Sequence, residues 1–203
     1  MINEGYIKFT VHLTEMDVVM PRTLPELNAV RTELYEQGMI GVLPGGIGYG
    51  NVSLREPGAT CFFISGTSTG GKRVLDPGDY CRADQCSAEK NEVFCSGHIR
   101  ASSETLSHDA VYQANPQIGC VIHIHHNAFF TKLLADSRIP ATSPHAEFGT
   151  PEMARDIERL VRTQAEPCGI IVMTGHPDGV IAYGSDIQTA YQTLMDYSLA
   201  CKV

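Results

Sequence analysis

The stretch Gly119-Cys-Val-Ile-His-Ile-His125 joins a short apolar run to two histidines. A bounded apolar run of this length predicts a buried β-strand over 119–125. Residues i and i+2 of a strand face the same side, with Cα atoms about 6.5 to 7 Å apart, so His123 and His125 can bind one metal ion. A His-x-His pair at a strand end can also be a hydrogen-bonded structural pair, and the spacing alone leaves both interpretations open.

A catalytic metal site needs about three protein ligands and one open position. We expect His176 as the third ligand, because it lies in the turn Gly175-His-Pro-Asp-Gly179 after an apolar strand predicted from Cys168 to Thr174. Loops at strand ends are where sheet proteins assemble their sites, and imidazole is the commonest protein ligand of Zn2+ and similar ions. The sequence is therefore compatible with a metal site built from two histidines of one predicted strand and one histidine in the turn after another.

Helix and strand patterns mix through the rest of the chain, without a repeat or a linker. Thr23-Leu-Pro-Glu26 has the residues of a capping box and an early proline, and it is the clearest helix start. The other predicted elements are helices from Ser102 to Asn115, from Met153 to about Gln164 and from Ser185, and strands over 51–55, 61–65 and 180–183. These elements predict one α/β domain in which helices cover a central sheet.

Residues 1–22 are interpreted as a strand-like extension that precedes a domain over 23–203. Apolar and polar residues alternate over Tyr6–Leu13, which predicts an edge strand or hairpin arm with one solvated face. The polar stretch from Asp76 to Lys90 contains a turn sequence and is expected to be a surface connection.

Charge and cysteine content argue against several classes of protein. The chain has 15 Lys and Arg against 23 Asp and Glu, a net charge of -8, and no run of basic residues longer than the pair Lys72-Arg73. No nucleic-acid partner or anionic membrane surface is expected, because such binding needs clustered cations. We find no membrane-span or leader pattern and expect a cytoplasmic protein. The 7 cysteines include no Cys-x-x-Cys pair, which favours reduced thiols.

Further polar residues could act beside the metal ligands. Glu104 follows two serines at a predicted helix start, where a carboxylate favours the helix dipole and needs no catalytic role. His126 should face away from its neighbour in the strand and is interpreted as structural. Two loops rich in glycine and hydroxyl residues, 48–53 and 65–71, can hold a phosphate through backbone amides, although such turns also occur for backbone bending alone.

Several motifs follow one another along the chain: Asn51-Val-Ser53, Ile64-Ser-Gly-Thr-Ser-Thr-Gly70, Ser102-Ser-Glu104 with His108 and Tyr112, Val121-Ile-His-Ile-His125, Phe148-Gly-Thr150 and Gly175-His176. In combination, from about Leu24 to Leu199, they resemble the class II aldolase/adducin superfamily. The resemblance implies a single-domain α/β/α sandwich with a central, mostly antiparallel sheet. It also implies a homo-oligomer, usually a tetramer with sites between subunits.

The resemblance further implies roles for individual residues. His123, His125 and His176 would bind a divalent metal, commonly zinc, with Mn2+, Fe2+ or Co2+ as alternatives. Glu104 would act as acid/base and as a further ligand in the resting enzyme. The residues that would hold a substrate phosphate are Asn51, Thr69, Gly70, Ser102 and Ser103.

These roles imply a lyase that cleaves a small sugar phosphate or hydroxy-carbonyl compound in a retro-aldol reaction, through a metal-stabilised enediolate. Gly48 stands where the sugar phosphate aldolases carry a hydroxyl residue, and His145 where they carry a proton-donating tyrosine. We therefore expect His145 as proton donor and a small-molecule substrate, phosphorylated or not. The alternatives are dehydration, decarboxylation or epimerisation on the same scaffold, or a non-catalytic binding module like that of the adducins.

Overall fold

An eight-stranded sheet runs through the centre of the protein, whose computed structural model describes residues 7–164 and 166–202. The strands of the described chain are β1 (Thr10–Glu15), β2 (Gly41–Val42), β3 (Gly48–Tyr49), β4 (Asn51–Leu54), β5 (Phe62–Ser65), β6 (Tyr80–Ser87), β7 (Glu92–Gly97), β8 (Cys120–His125), β9 (Gly169–Val172) and β10 (Gly179–Gly184). The large sheet has the order β1-β7-β6-β5-β4-β8-β10-β9, and β2 pairs with β3 separately. Its strand pairings are antiparallel except for the parallel pair β1 and β7, so the expected mostly antiparallel sheet is confirmed.

Helices cover both faces of this sheet. The helices of the described chain are α1 (Leu24–Glu36), α2 (Thr105–Ala114), α3 (Asn127–Leu134), α4 (Pro151–Gln164) and α5 (Ile187–Cys201). Apolar residues of α2 and α4 share one buried cluster, and those of α1, α3 and α5 share the other. The α/β/α sandwich is therefore confirmed. None of these helices is both long and apolar enough to span a bilayer.

Strand β8 shows how the sequence is divided between the two faces. Ile122 and Ile124 belong to the cluster with α1, α3 and α5, whereas Val121 belongs to the cluster with α2 and α4. The period of two places His123 and His125 on the same face as Val121. Because β8 lies between β4 and β10, both histidines stand in the interior of the sheet, at the carboxyl end of their strand.

The N-terminal strand β1 lies at the edge of the sheet, as its alternating pattern predicts. It pairs in parallel with β7, with Thr10 opposite Glu92. Phe9, just before the strand, is buried in the cluster with α2 and α4. The predicted strand started earlier, at Tyr6, which lies outside the described residues.

The expected surface connection from Asp76 to Lys90 is wrong, because β6 occupies most of it. Tyr80 and Ala83 are each 1 % exposed. The polar residues of the stretch find partners on the sheet, since Arg82 forms an ion pair with Asp84. A β-bulge after Ala83 interrupts the alternation of inward and outward residues, and it removes the sequence pattern of a strand.

Two helix starts differ in detail from expectation. Thr23 does precede α1, but its side chain makes no capping hydrogen bond. Helix α3 was not predicted, and it begins where the ring of His126 accepts a hydrogen bond from the backbone N–H of Phe129 at 3.1 Å. His126 is therefore a helix cap, which is the structural kind of role expected for it.

Candidate active site

Three histidine rings meet at the end of β8. His123 and His125 come from β8 itself, and His176 comes from the turn between β9 and β10. Nε2 of His125 lies 3.1 Å from Nε2 of His123 and 3.1 Å from Nε2 of His176. One ligand atom from each ring lies within 4.8 Å of the others, and His123 and His176 are each 1 % exposed. The structure thus brings the three expected ligands together.

The ring protons of two of these histidines point away from the meeting point. His123 donates from Nδ1 to the carbonyl oxygen of Val180 at 3.2 Å, and His125 donates to the backbone of Pro177. Burial lowers the pKa of all three rings, that of His125 to about 4, so the rings are neutral at pH 7. The Nε2 lone pairs of His123 and His125 then face each other, which is unfavourable unless a cation lies between them. This donor set fits a divalent metal, whose histidine ligands typically donate their other N–H to a backbone carbonyl.

Close backbone packing positions His176. A Cβ at Gly175 would overlap the carbonyl oxygen of Ala146, so only glycine allows the two segments to approach. The ring of Phe148 stacks on that of His176 with centroids 4.5 Å apart, and Nζ of Lys8 lies 4.0 Å from the Phe148 centroid. The segment before β1 therefore contributes to the wall that supports His176.

Glu104 lies beside the histidines. It is the residue before α2, but its side chain makes no capping hydrogen bond to the helix backbone. Its Oε2 accepts a hydrogen bond from Oγ of Ser107 at 2.7 Å, and its Oε1 lies 3.7 Å from Nε2 of His176. Glu104 is 2 % exposed. Of the two interpretations of this residue, the geometry favours a role at the histidines over a helix cap.

A buried hydrogen-bond network ties α2 to the sheet. Oγ of Ser53 lies 2.7 Å from Nδ1 of His108 and 2.7 Å from the hydroxyl of Tyr112. Burial lowers the pKa of His108 well below its ordinary value, so its ring is neutral. The network fixes the helix that follows Glu104 against β4, the strand that begins at Asn51.

A cleft with a volume of about 170 Å³ opens beside His123. Its walls are residues 46–51, 66–70 and 102–104. All five residues expected to hold a phosphate are among them, namely Asn51, Thr69, Gly70, Ser102 and Ser103. Oδ1 of Asn51 is buried with no hydrogen-bond partner in the described chain, so a ligand hydroxyl can satisfy it. None of the described lining residues is a lysine or an arginine.

His145 does not join this group within its own chain. Its side chain is exposed, and it lines a separate depression together with Glu152, Arg155 and Asp156 at the start of α4. The proton-donor role expected for His145 stays a prediction.

Arg31, a buried residue next to the cleft, was not among the site residues expected from the sequence. Arg31 is 1 % exposed, and its guanidinium donates to four carbonyl oxygens between Thr69 and Arg73. Its sequence signal is its position on α1, where it shares the buried stripe of Leu27 and Leu34. A charged residue within an apolar stripe indicates a buried polar partner, so the sequence pattern alone can indicate Arg31.

The family model for the Class II Aldolase and Adducin N-terminal domain matches residues 28–203. Among solved structures, the chain is similar to L-fuculose-1-phosphate aldolase from Thermus thermophilus, with a TM-score of 0.64 and 20 % identity over 88 % of this chain and 90 % of that one. It is also similar to a sugar-phosphate aldolase from Thermotoga maritima, with a TM-score of 0.63 and 15 % identity over 89 % and 92 % of the two chains. At these identities the likeness shows a shared fold.

Two methylthioribulose-1-phosphate dehydratases from Leptospira interrogans are 32 % and 31 % identical to the chain over 88 residues. The matched segment is 42 % of this chain and 34 % of each dehydratase, so the chain spans about a third of their length. The family model covers far more of the chain, from residue 28 to residue 203. The chain belongs to the class II aldolase and adducin N-terminal domain family.

Proposed function

We propose that the protein is a divalent-metal-dependent lyase that cleaves a carbon–carbon bond in a small hydroxy-carbonyl compound, such as a sugar phosphate. The observation that carries the proposal is the meeting of three neutral imidazoles with the carboxylate of Glu104, 3.7 Å from one of them. Such a site combines Lewis-acid and proton-transfer groups. Family membership supports the same class of reaction.

His123, His125 and His176 would hold the metal, and zinc is the proposed ion because imidazole nitrogens suit it. Mn2+, Fe2+ and Co2+ are the alternatives. When bound, the metal would polarise substrate oxygen atoms as a Lewis acid. Three protein ligands leave a coordination position for the substrate at the cleft.

Glu104 is the proposed acid/base. The hydrogen bond from Ser107 orients its carboxylate, with Oε1 on the side of His176. In a retro-aldol cleavage, a base removes the proton of a hydroxyl group, the carbon–carbon bond breaks, and an acid protonates the carbon that keeps the electron pair. We propose that Oε1 of Glu104 carries a proton in this sequence and that His145, from a neighbouring copy in a homotetramer, is the second proton carrier.

The cleft is the proposed binding site of the substrate phosphate. Hydroxyl groups of Ser102, Ser103 and Thr69, the side chain of Asn51 and the backbone of Gly70 supply its polar atoms. Amide and hydroxyl donors can bind phosphate without a cationic side chain in contact with it. We further propose that the enzyme works in the cytoplasm, on a small molecule.

Dehydration is the second candidate, because the matching curated relatives are named methylthioribulose-1-phosphate dehydratases. It would use the same metal and the same carboxylate. Glu104 would remove a proton from a carbon next to the carbonyl, and a hydroxyl group would leave as water instead of the carbon–carbon bond breaking. No comparable observation favours decarboxylation or epimerisation.

The test is a product assay on the metal-loaded enzyme with a panel of ketose phosphates and their dephosphorylated forms. Release of an aldehyde and a shorter phosphorylated ketone supports cleavage, whereas a dehydrated product of full carbon length supports the dehydratase. Glu104→Gln should keep the bound metal and the fold but lower turnover about 10²- to 10⁴-fold, since one positioned acid/base contributes about that much.

A non-catalytic binding module would give different results in these assays. Such a protein would turn over none of these compounds, and Glu104→Gln would change nothing measurable. Purified protein that contains no metal, and takes up none on dialysis against Zn2+, would contradict the metal-dependent lyase in both of its forms.

A further inference from the structure

Arg31 is a buried cation whose hydrogen bonds all go to carbonyl oxygens. Its Nη2 donates to the carbonyls of Thr69 at 3.0 Å and Gly70 at 3.1 Å, and its Nη1 donates to those of Lys72 and Arg73. Burial lowers the pKa of the guanidinium, which nevertheless stays charged because its ordinary pKa is so high. No described carboxylate forms a hydrogen bond or ion pair with it. Its direct hydrogen-bond partners are therefore peptide carbonyls, while the carboxylate of Asp79 acts on the charge only from a distance.

The peptide groups that face Arg31 direct their N–H groups elsewhere. The N–H and C=O of a trans peptide point in opposite directions, and no described peptide bond is cis. Because the carbonyls of Thr69 and Gly70 point at the guanidinium, the N–H groups of Gly70 and Gly71 point away from it. Within the described chain, the N–H groups of residues 68–71 donate to no backbone or side-chain acceptor.

The loop places Gly70 at the cleft. Gly70 lines the cleft directly, and Ser68 before it has a φ of 61°, a left-handed conformation that turns successive N–H groups toward one side. Across the cleft wall, a Cβ on Gly48 would lie 3.1 Å from the nitrogen of Gly70. A side chain at position 48 would therefore crowd this amide.

We propose that Arg31, from behind the loop, supplies the positive charge of the anion-binding side of the cleft and is a positioning residue for the substrate phosphate. This inference rests on the proposed function, since it concerns the same cleft. A cation at the carbonyl end of a peptide polarises it, so that the N–H at the other end becomes a stronger donor. A buried charge is also screened little by water. A phosphate at the loop would add an anion close to Arg31, whose hydrogen bonds in the described chain all go to neutral carbonyls.

A purely structural role for Arg31 is the competing explanation, and the chain offers a matched control for it. Arg55 also donates its guanidinium hydrogen bonds to loop carbonyls, those of Tyr112, Asn115 and Ile118. It stands just beyond the opposite end of β4 from Asn51 and does not line the cleft. Removing Arg55 should therefore weaken a loop without touching the proposed anion site.

The experiment compares Arg31→Met, Arg31→Lys and Arg55→Met in calorimetric titrations with inorganic phosphate, on metal-loaded and on metal-stripped protein. We expect Arg31→Met to weaken phosphate binding roughly 10- to 50-fold in both forms. Arg31→Lys, which keeps the charge, should lose less. Arg55→Met should bind phosphate within about twofold of wild type despite a similar loss of thermal stability. With a turned-over phosphorylated substrate, Arg31→Met should raise KM much more than it lowers kcat.

Equal phosphate affinity in wild type and Arg31→Met would overturn the inference while leaving the proposed lyase intact. Wild-type protein that binds no phosphate would overturn both the anion site and the role of Arg31, whereas metal content and Glu104→Gln still report on the lyase separately. If Arg31→Met does not fold, Arg31→Lys and Arg31→Gln replace it, and equal phosphate affinity of these two variants overturns the inference.

Discussion

The lone pairs of His123 and His125 meet at a nitrogen–nitrogen distance of 3.1 Å in the interior of the protein. Both rings are neutral and oriented by backbone hydrogen bonds, so neither can relieve this contact by taking up a proton at pH 7. A divalent cation between them would turn a repulsion into two bonds. A bound metal is therefore expected to stabilise the folded protein, in addition to its role in the reaction.

The first prediction concerns this pair. His123→Ala combined with His125→Ala should abolish stoichiometric metal binding, because one remaining histidine cannot form a chelating site. His126→Ala is the matched control, since it changes the adjacent ring, which caps α3 instead of facing the cluster. We expect the control to keep its metal and to lose about 1 kcal/mol of unfolding free energy.

Elemental analysis after dialysis measures the metal content. Thermal unfolding in the presence and absence of a chelator measures the effect of the metal on stability. The chelator should lower the melting temperature of wild type and of His126→Ala but not that of the double variant. Full metal retention in the double variant would contradict the three-histidine centre.

The sequence predicts some of these residues and not others, for physical reasons. A strand period of two puts His123 and His125 on one side from spacing alone. His176 joins them through the way one turn packs on a distant segment, and its position in a turn after a predicted strand, together with the family resemblance, indicated it. Arg31 was missed because a helix pattern read for apolar positions ignores a buried charge, whose partners become visible only in three dimensions.

At the scale of elements, helix α5 depends on a different cap from the one that its sequence suggests. Ser185 and Gln188 fit a capping box, but the side chain of Asp186 accepts the hydrogen bond from the N–H of Thr189, at 2.8 Å. That hydrogen bond lowers the pKa of Asp186. The folded state therefore favours its charged form, and the cap stabilises the protein above the unfolded pKa of Asp.

Asp186→Ala should lower the unfolding free energy by about 1 kcal/mol at pH 7, the usual loss for a removed cap. Asp186→Asn, which also caps well, should lose much less and serves as the control. The deficit of the Ala variant should shrink as the pH falls through the lowered pKa of Asp186, because the protonated carboxyl loses its charge-dependent advantage. Denaturant unfolding at pH 7 and at acidic pH measures this, and a deficit independent of pH would contradict the assignment.

The sequence did not reveal the elements that lack a regular pattern of apolar and polar residues or a common capping residue. In β6 a bulge breaks the alternation, and its polar side chains pair with one another across the sheet surface. Helix α3 is short and is capped by a histidine, which is not among the preferred capping residues. By contrast, α4 and β8 have regular patterns bounded by clear start or stop residues, and both were predicted within one or two residues.

In the protein as a whole, the three-histidine cluster is connected to the N-terminal segment. Lys8 lies over the ring of Phe148, which stacks on His176, and Lys8 also forms an ion pair with Glu147 at 2.9 Å. Strand β1 holds this segment in place at the edge of the sheet. Residues before the matched family region therefore support His176, the member of the cluster that lies farthest along the chain.

Deletion of residues 1–15 should thus lower both stability and metal affinity. Loss of β1 and of buried Phe9 should remove about 2 to 3 kcal/mol, and so lower the melting temperature by roughly 5 to 10 °C. Lys8→Ala keeps the strand but removes the contact with Phe148, so it should lower metal affinity with little loss of stability, because Glu147 of its ion pair is exposed. Calorimetry and competitive metal titration measure the two effects, and unchanged values for the truncated chain would contradict the support role.

The parallel pairing of β1 with β7 also sets an order of events during synthesis. Thr10 leaves the ribosome early, but its partner Glu92 is made about 80 residues later, which takes about 4 to 16 s at ordinary translation rates. During that interval an alternating apolar strand has no native neighbour, and it can pair with other nascent chains. The yield of folded protein should therefore respond to translation speed and to chaperone supply.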